Sequence, residues 1–557
     1  MAQSIKELYS DTKFFVGPVI ENGFYYDFKS STKLNSDDLK LIEKKMKENI
    51  KKKFKIDKYF ISKDKAIQKF SSDELKLKVL EKIEDKNVSI YKQGEFEDLC
   101  RGPHVPSTRF LHNFKLTRIA GAYLGGDETK EMLTRIYGVA FSNKEDLKEY
   151  VTRMEKAKKI DHRKLGKEME LFMFSEESGA GLPFWMPRGA RLREKLENIL
   201  HKAHRKQGYQ LVRGPQILKS HLWETSGHYT CYGENIYLTN IDNDEYAIKP
   251  MNCIGHIQIF KKNLHSYKNL PIKFYEYGTV HRHEKSGVLH GLLRVREFTQ
   301  DDAHIFCSEK DIKQSIIEII DFVDKVMKLF NFKYSMSIST KPEKAIGSDE
   351  IWNLATSSLK EALNKKSLKY NIDEGGGAFY GPKIDIKITD AIGREWQCGT
   401  IQIDFNLPKR FDVTYVDKDG TKKHPVMIHR AILGSFERFI AILIEHYAGE
   451  FPFFLAPVQI IIIPILDSHI DYVKKLLNKL LDLDIDGEIL HSNDTLNKKI
   501  RIAEKRKVPI IIVIGDNEIS NSQVSVRDRE TKKQYNLNLE DFMLKLRNKI
   551  DKGKIFE

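Results

Sequence analysis

The spacing of apolar positions divides the chain into regions of different texture. Up to residue 145, short β-like runs (FFVGPVI at 14–20, GFYYDF at 23–28) alternate with the Lys-rich, helix-patterned stretch DDLKLIEKKMKENIKKKF, which predicts a small α+β domain. Residues 146–170 are charged and helix-favouring and read as a linker helix. Within 171–456, Leu192, Leu196, Ile199 and Leu200 recur at helical spacing, and a strand-like GYQLVRGP follows, ending at Pro215. EYAIKPMN, IKFYEYGTVHRHE, LLRVREFTQ, KIDIKIT and EWQCGTIQIDF then predict the strands of one large antiparallel sheet. From 457 to 557 the β-runs VQIIIIPI, GEIL, PIIIVIG and QVSVRDR are separated by helical stretches. One of these carries Val473, Leu476, Leu477 and Leu480 on an apolar stripe, which predicts a compact α/β domain.

Length and composition narrow the class. A chain of 557 residues exceeds what one core supports, so several domains are expected. With 41% apolar and 31% charged residues it has a globular balance. No apolar run is long enough to span a bilayer, and the first residues (MAQSIKELYSDTKFF) lack a secretory pattern. The net charge of +14 fits a nucleic-acid partner, although surface lysines in a Lys-rich composition would give the same figure. Five cysteines, at 100, 231, 253, 307 and 398, never form a C-x-x-C pair. That pattern fits a reducing compartment, and any metal site would have to draw on distant segments.

Two segments carry candidate chemistry. HRHE at 281–284 and LLRVREF at 292–298 read as two strands joined by the glycine-bearing KSGVLHG. Arg282 with Glu284, and Arg294 with Phe298, would then each share a strand face. An arginine fork grips phosphate, an aromatic ring stacks a base, and a glutamate accepts from an adenine amine, which together would make a nucleotide platform without a glycine-rich phosphate loop. The bland reading is a surface ion pair. In the second segment, HRAILGSFERFIAIL from His429, a small Gly434-Ser435 step opens a helix carrying Glu437 and Arg438, and that arginine could cover the other face of an adenine or belong to an ordinary amphipathic helix.

R-x-E, a loop, R-x-x-x-F-x-x-x-D and a small-Gly-…-E-R helix resemble motifs 2 and 3 of class II aminoacyl-tRNA synthetases, and the helix–strand–Pro215 stretch resembles motif 1, which builds the dimer interface in that class. KPMNCIGH, FTQDDAHIFC, AFYGPKIDI, QCGTIQIDF and PVMIHRAILGS are similar to bacterial threonyl-tRNA synthetases, from residue 11 to the C-terminus. The resemblance implies an α+β multidomain protein. It would have a class II antiparallel-sheet catalytic core, a C-terminal α/β anticodon-binding domain and an incomplete N-terminal α+β editing-like domain. It also implies a cytoplasmic homodimer that uses ATP with Mg²⁺, L-threonine and tRNA(Thr), with no membrane association.

Residue by residue, the resemblance assigns one zinc per subunit to Cys253, His304 and His429, with Cys307 and His256 as rival ligands. It assigns ATP to Arg282, Glu284, Arg294, Phe298, Gln397, Thr400 and Arg438, and threonine to Asp302, Tyr380 and Gln402. Arg282, Arg438 and Lys383 would act in activation and His228 in transfer, and Asn493, Arg501, Glu518 and Arg527 would read the anticodon. A zinc able to hold both amine and hydroxyl would separate threonine from near-isosteric valine, which an apolar pocket does poorly. Serine would escape that sieve and need a second, hydrolytic site. Of that site Asp98, Cys100 and His104 are present, whereas the expected H-x-x-x-H is absent, as is the small domain usually ahead of it. Either the start is assigned at an internal methionine or editing has been lost; in both cases the expectation is poor clearance of seryl-tRNA. Two other readings stay open. One is a prolyl or seryl enzyme of the same subgroup, which the Cys253/His304/His429 set disfavours. The other is a non-catalytic RNA-binding paralogue, which the intact ATP residues disfavour.

Overall fold

The structure, a computed structural model, describes residues 1–20, 23–127, 129–390, 392–551 and 553. It divides into two compact units, Met1–Glu155 and Lys156–Glu557.

In the first unit, the helix Ser36–Lys51 starts at a capping box. The Asn35 side chain accepts from Asp37 N–H at 2.8 Å, and Asp38 accepts in return from Asn35 N–H at 2.7 Å. Its Ile42 is buried with Phe28, Leu116 and Ile136 of a five-stranded antiparallel sheet. A second sheet pairs Ile56–Ser62, Asn87–Gln93 and Phe96–Leu99. This is the small α+β domain the pattern predicts. The expected single linker helix is instead two helices, Lys144–Ile160 and His162–Glu168. Asp161 breaks it: its carboxylate accepts from Arg163 N–H at 2.8 Å and caps the second helix.

The second unit is built around an eight-stranded sheet. In chain order its strands are β1 (Gln210–Leu211), β2 (Ile272–His281), β3 (Glu297–Cys307), β4 (Lys333–Ser339), β5 (Tyr370–Asp373), β6 (Lys383–Thr389), β7 (Glu395–Asp404) and β8 (Val426–Ser435). Their spatial order is β1-β2-β3-β8-β7-β6-β4-β5. The inner pairs are antiparallel, as expected, and the two edge pairs are parallel. One face is covered by α1 (Pro187–Lys206), α2 (Ile312–Leu329) and α3 (Phe436–His446), which bury Leu192, Leu196, Ile316, Phe322, Phe439 and Ile440 against Ile305, Ile401 and Ile428. The other face is left for chemistry.

Three strand expectations are corrected. The first four residues of EYAIKPMN belong to the strand Asp244–Ile248 of a separate three-stranded sheet. In LLRVREFTQ the strand begins only at Glu297, because Leu292 and Leu293 lie in a turn in which Leu293 N–H donates to His290 O and His290 N–H donates to Arg294 O. Arg282 and Glu284 likewise sit just past the end of β2. The C-terminal sheet, ordered Gly487–Ile489, Ile460–Pro464, Ile510–Ile514, Gln523–Asp528, Lys533–Asn538, is parallel on one side and antiparallel on the other. Val473, Leu476 and Leu480 are buried against it, as their stripe predicts.

Candidate active site

Register across the sheet brings the expected residues together. His304 on β3 stands opposite His429 on β8, His429 opposite Gln402 on β7, and Gln402 opposite Lys383 on β6. The next rung on the same face, two residues along, carries Asp302, Ala431, Thr400 and Asp385. Directly paired residues of antiparallel strands point to one face, so four strands far apart in sequence present one wall. That wall lines a cavity of about 350 Å³. Cys253, Arg282, Glu284, Arg294, Phe298, Asp302, His304, Tyr380, Lys383, Gln397, Thr400, Gln402, His429 and Arg438 all line it.

At the end that gathers the residues expected to bind nucleotide, the Arg282 guanidinium lies 5.1 Å from the centre of the Phe298 ring, and Arg294 donates twice to Glu284 at 2.9 and 3.1 Å. Arg438 follows the cap of α3, where the Ser435 side chain accepts from Arg438 N–H at 3.1 Å. Its guanidinium donates to the carbonyls of Leu293 (3.1 Å) and Gln397 (2.9 Å). A bulge between Gln300 and Asp302 is held by Asp301, whose carboxylate accepts from the N–H groups of Ile432, Leu433 and Gly434 at 2.7–3.1 Å. Gly434 has φ +82°, and a Cβ there would lie 2.3 Å from the Cys398 carbonyl oxygen, so glycine is required at that step.

At the other end, Asp302 accepts from Asn252 at 2.9 Å, and Tyr380 donates to Gln402 at 3.1 Å. Burial raises the Asp302 carboxyl above the ordinary carboxylate range. Sequence reasoning missed Asn252, whose amide fits only because Gly278 opposite has no side chain; a Cβ there would lie 2.3 Å from it. It also missed Arg430, fully buried and donating to Asp301 O at 3.0 Å, and Asp404, which meets His429 Nε2 at 3.1 Å. Proximity to Cys253 in MNCIGH, to His429 in MIHR and to Gln402 in QIDF was the available signal for Asn252, Arg430 and Asp404 respectively.

Cys253, His304 and His429 are buried and face this cavity. The donor chemistry fits zinc. Burial, with His429, His256 and Arg430 adding to it, holds His304 well below its ordinary value, so its imidazole is neutral and has a lone pair to give. Asp404 engages His429 at Nε2, which leaves Nδ1 for a metal. Burial, with Asp302 and Asp404 nearby, pushes the Cys253 thiol far up, and a bound cation would draw off that proton. The three ligand atoms do not all lie within 4.8 Å of one another; among the described residues only Asp161, His162 and Glu445 do. Cys307 is buried in the apolar core. His256 meets His304 Nδ1 to Nδ1 at 2.8 Å, the place of a residue that orients a ligand.

His228 is not in the cavity lining. It is fully buried behind Tyr380, with ring centres 6.0 Å apart, and its Nδ1 meets Ser226 Oγ at 2.7 Å. Burial, with His429, Arg282 and Arg410 nearby, holds it down to about 3. In the first unit, Cys100 Sγ and His104 Nε2 lie 3.0 Å apart, whereas Asp98 turns away to Lys76 (2.6 Å) and Tyr26. In the C-terminal domain, Asn493 sits in a loop, Arg501 on the helix Leu496–Lys505, Glu518 on the short helix Asp516–Ser520 and Arg527 on the strand Gln523–Asp528. Among the described residues none of the four bonds another, and Glu518 accepts from Gly515 N–H at 2.9 Å.

Among the described residues, no helix is long and apolar enough to cross a membrane. Residues 237–447 match the tRNA synthetase class II core domain (G, H, P, S and T). Residues 459–549 match an anticodon binding domain, and 88–137 match the threonyl and alanyl tRNA synthetase second additional domain. The chain is 67% identical to the threonine–tRNA ligase of Sulfurovum sp. (strain NBC37-1), over 100% of this chain and 92% of that one. It is 63% identical to that of Campylobacter jejuni subsp. jejuni, over 99% and 91%. The solved RNA binding domain of threonyl-tRNA synthetase from Cryptosporidium parvum Iowa II superposes with a TM-score of 0.68 at 41% identity, covering 70% of this chain and 98% of that one. A sheet that gathers these residues on one wall, together with such identity along nearly the whole of each relative, makes this chain a member of the threonine–tRNA ligase family, with a class II synthetase core.

Proposed function

We propose that this chain joins L-threonine to the 3′ end of tRNA(Thr) at the expense of ATP, as a cytoplasmic homodimer with one zinc on Cys253, His304 and His429 of each subunit. The observation that carries the reading is the single cavity in which the nucleotide, amino-acid and metal residues meet. ATP, brought with Mg²⁺, stacks its base on Phe298, with Arg438 over it and Glu284 accepting from the amine. The threonine carboxylate attacks the α-phosphate, pyrophosphate leaves, and Arg282 offsets the charge that develops on the phosphoryl oxygens. Lys383, Gln397 and Thr400 hold the nucleotide and adenylate from the β6–β7 side. Asp302, kept in place by Asn252, accepts from the threonine, and Tyr380 with Gln402 closes its pocket. Bound zinc would supply positions for both the amine and the side-chain hydroxyl, which valine cannot fill.

In the second step the terminal ribose hydroxyl attacks the adenylate carbonyl and AMP leaves. His228, which the resemblance assigns to this step, has a buried Nε2 with no partner among the described residues, and it can take the hydroxyl proton only once bound tRNA relieves the burial that holds it down to about 3. Asn493, Arg501, Glu518 and Arg527 offer edge-reading groups to the anticodon, with Glu518 first released from its cap.

ATP–pyrophosphate exchange with threonine, valine, serine, proline and no amino acid, run beside metal analysis, tests the proposal. Strong exchange with threonine, little with valine and about one zinc per chain are expected. Folded, zinc-loaded protein without threonine-dependent exchange would overturn it.

A further inference from the structure

The trio Asp161, His162 and Glu445 has metal-like spacing, but its donor atoms are already committed. Leu292 N–H donates to His162 Nε2 at 3.2 Å, so that nitrogen is the unprotonated one. The proton therefore sits on Nδ1, which donates to Glu445 Oε1 at 2.7 Å, and the His162 backbone N–H adds a second bond to the same oxygen at 3.2 Å. Arg394 occupies Glu445 Oε2, and Arg163 occupies Asp161. His162 and Glu445 are both buried. Fully satisfied buried polar groups of this kind specify one arrangement of the segments they join.

What they join is informative. Leu292 belongs to the turn that carries the ATP-site residues. The carbonyl of its neighbour Leu293 receives the Arg438 guanidinium at 3.1 Å, and Arg294 follows. Arg438 and Glu445 lie on the same helix, α3, two turns apart, or roughly 10 Å along its axis. One helix therefore grips two adjacent residues of the turn, directly through Arg438 and at a distance through Glu445 and His162. Gly291 has φ +50°, and a Cβ there would lie 2.2 Å from His162 Nε2, so the close approach depends on glycine.

We infer that His162 is a positioning residue for the nucleotide half of the site: it locks the backbone of the Gly291–Leu292 turn to α3 and so sets where Arg294 and the Leu293 carbonyl stand. The inference rests on the ATP site proposed above. His162 touches no substrate.

The test uses the full chain and four variants: H162A, H162Q, H162N and G291A. ATP affinity is read by equilibrium dialysis, KM for ATP and for threonine by pyrophosphate exchange, and folding by melting temperature. The Gln amide oxygen reaches about where Nε2 was and can accept from Leu292; the Asn amide reaches only Glu445. H162A and G291A should weaken ATP about tenfold, the usual scale for orphaning a buried donor, with threonine KM changed less than twofold. H162Q should recover most of the loss and H162N little. Equal behaviour of H162Q and H162N would overturn the inference, as would ATP and threonine KM rising together with falling melting temperature. If H162A does not fold, G291A and the Gln/Asn pair decide. Wild-type chain that binds ATP without threonine-dependent exchange would sink the ligase reading alone, whereas unchanged ATP affinity in H162A and G291A would sink only the clamp.

Discussion

Among the described residues, two cysteine–histidine groupings are built in opposite ways. Cys100 and His104 are four residues apart on one loop, accessible to solvent, with Nε2 and Sγ 3.0 Å apart. Gly102 between them has φ +69°, and a Cβ there would lie 1.9 Å from the Tyr91 hydroxyl, so the loop needs glycine to fold back. Cys253, His304 and His429 span 176 positions of sequence, come from a helix and two strands, and are buried. The first grouping is a product of local chain geometry and stays at the surface, where partial burial still lowers His104 below its ordinary value. The second exists only because β3 and β8 pair in one register, and burial there alters two of its members, pushing the Cys253 thiol up and holding His304 neutral, and raises the neighbouring Asp302 carboxyl. Local spacing makes a pair; a sheet makes an environment.

The largest effect should come from removing a charge aimed into the cavity. Arg282→Ala or Arg438→Ala should lower threonine-dependent exchange by about 10²–10³, the scale for losing one aimed donor. A loss below tenfold would mean the cavity is not where phosphate chemistry occurs. His228→Ala should divide the reaction instead, lowering single-turnover transfer to tRNA by about 10² while exchange stays near wild type. A parallel fall in both would make His228 a packing residue of the Tyr380 wall.

Acid should also report on burial beside the second grouping, through His228. His228 titrates near 3 in the fold and about 6.5 unfolded. On lowering the pH the unfolded chain takes the proton first, so this residue's contribution is intact above about 6.5 and declines toward 3, by about 1.4 kcal/mol per pH unit. Urea unfolding at pH 7 and pH 5.5 should therefore show a steeper acid loss for wild type than for His228→Asn; equal losses would remove burial as the cause. The smallest effect is the plainest contrast. Cys100 should react quickly with a thiol reagent in the native protein, whereas Cys253, Cys307 and Cys398 wait for unfolding. Cys100→Ser should remove one fast-reacting thiol, and an unchanged fast phase would refute its exposure.

What the sequence determined by itself was whatever depends on neighbours in the chain. The apolar stripe of Val473, Leu476 and Leu480, the helix over Leu192, Leu196 and Leu200, and the cores of β2, β3, β6 and β7 follow from periodicity, because a repeat of 3.6 or 2 is a local property. Resemblance to the synthetase motifs then marked the residues that line the cavity. Local pattern could not locate the ends of elements. Arg282, Glu284 and Arg294 read as strand, but a turn closed by backbone hydrogen bonds takes them, and one capping aspartate, Asp161, splits the linker helix. Tertiary structure alone decided that Asn252 reaches Asp302 past Gly278, that Asp301 secures the bulge, and that His162 ties a turn 130 residues away to α3. Each of these depends on close approach between distant segments, and a polar group buried there has to find its partner wherever the packing has brought one.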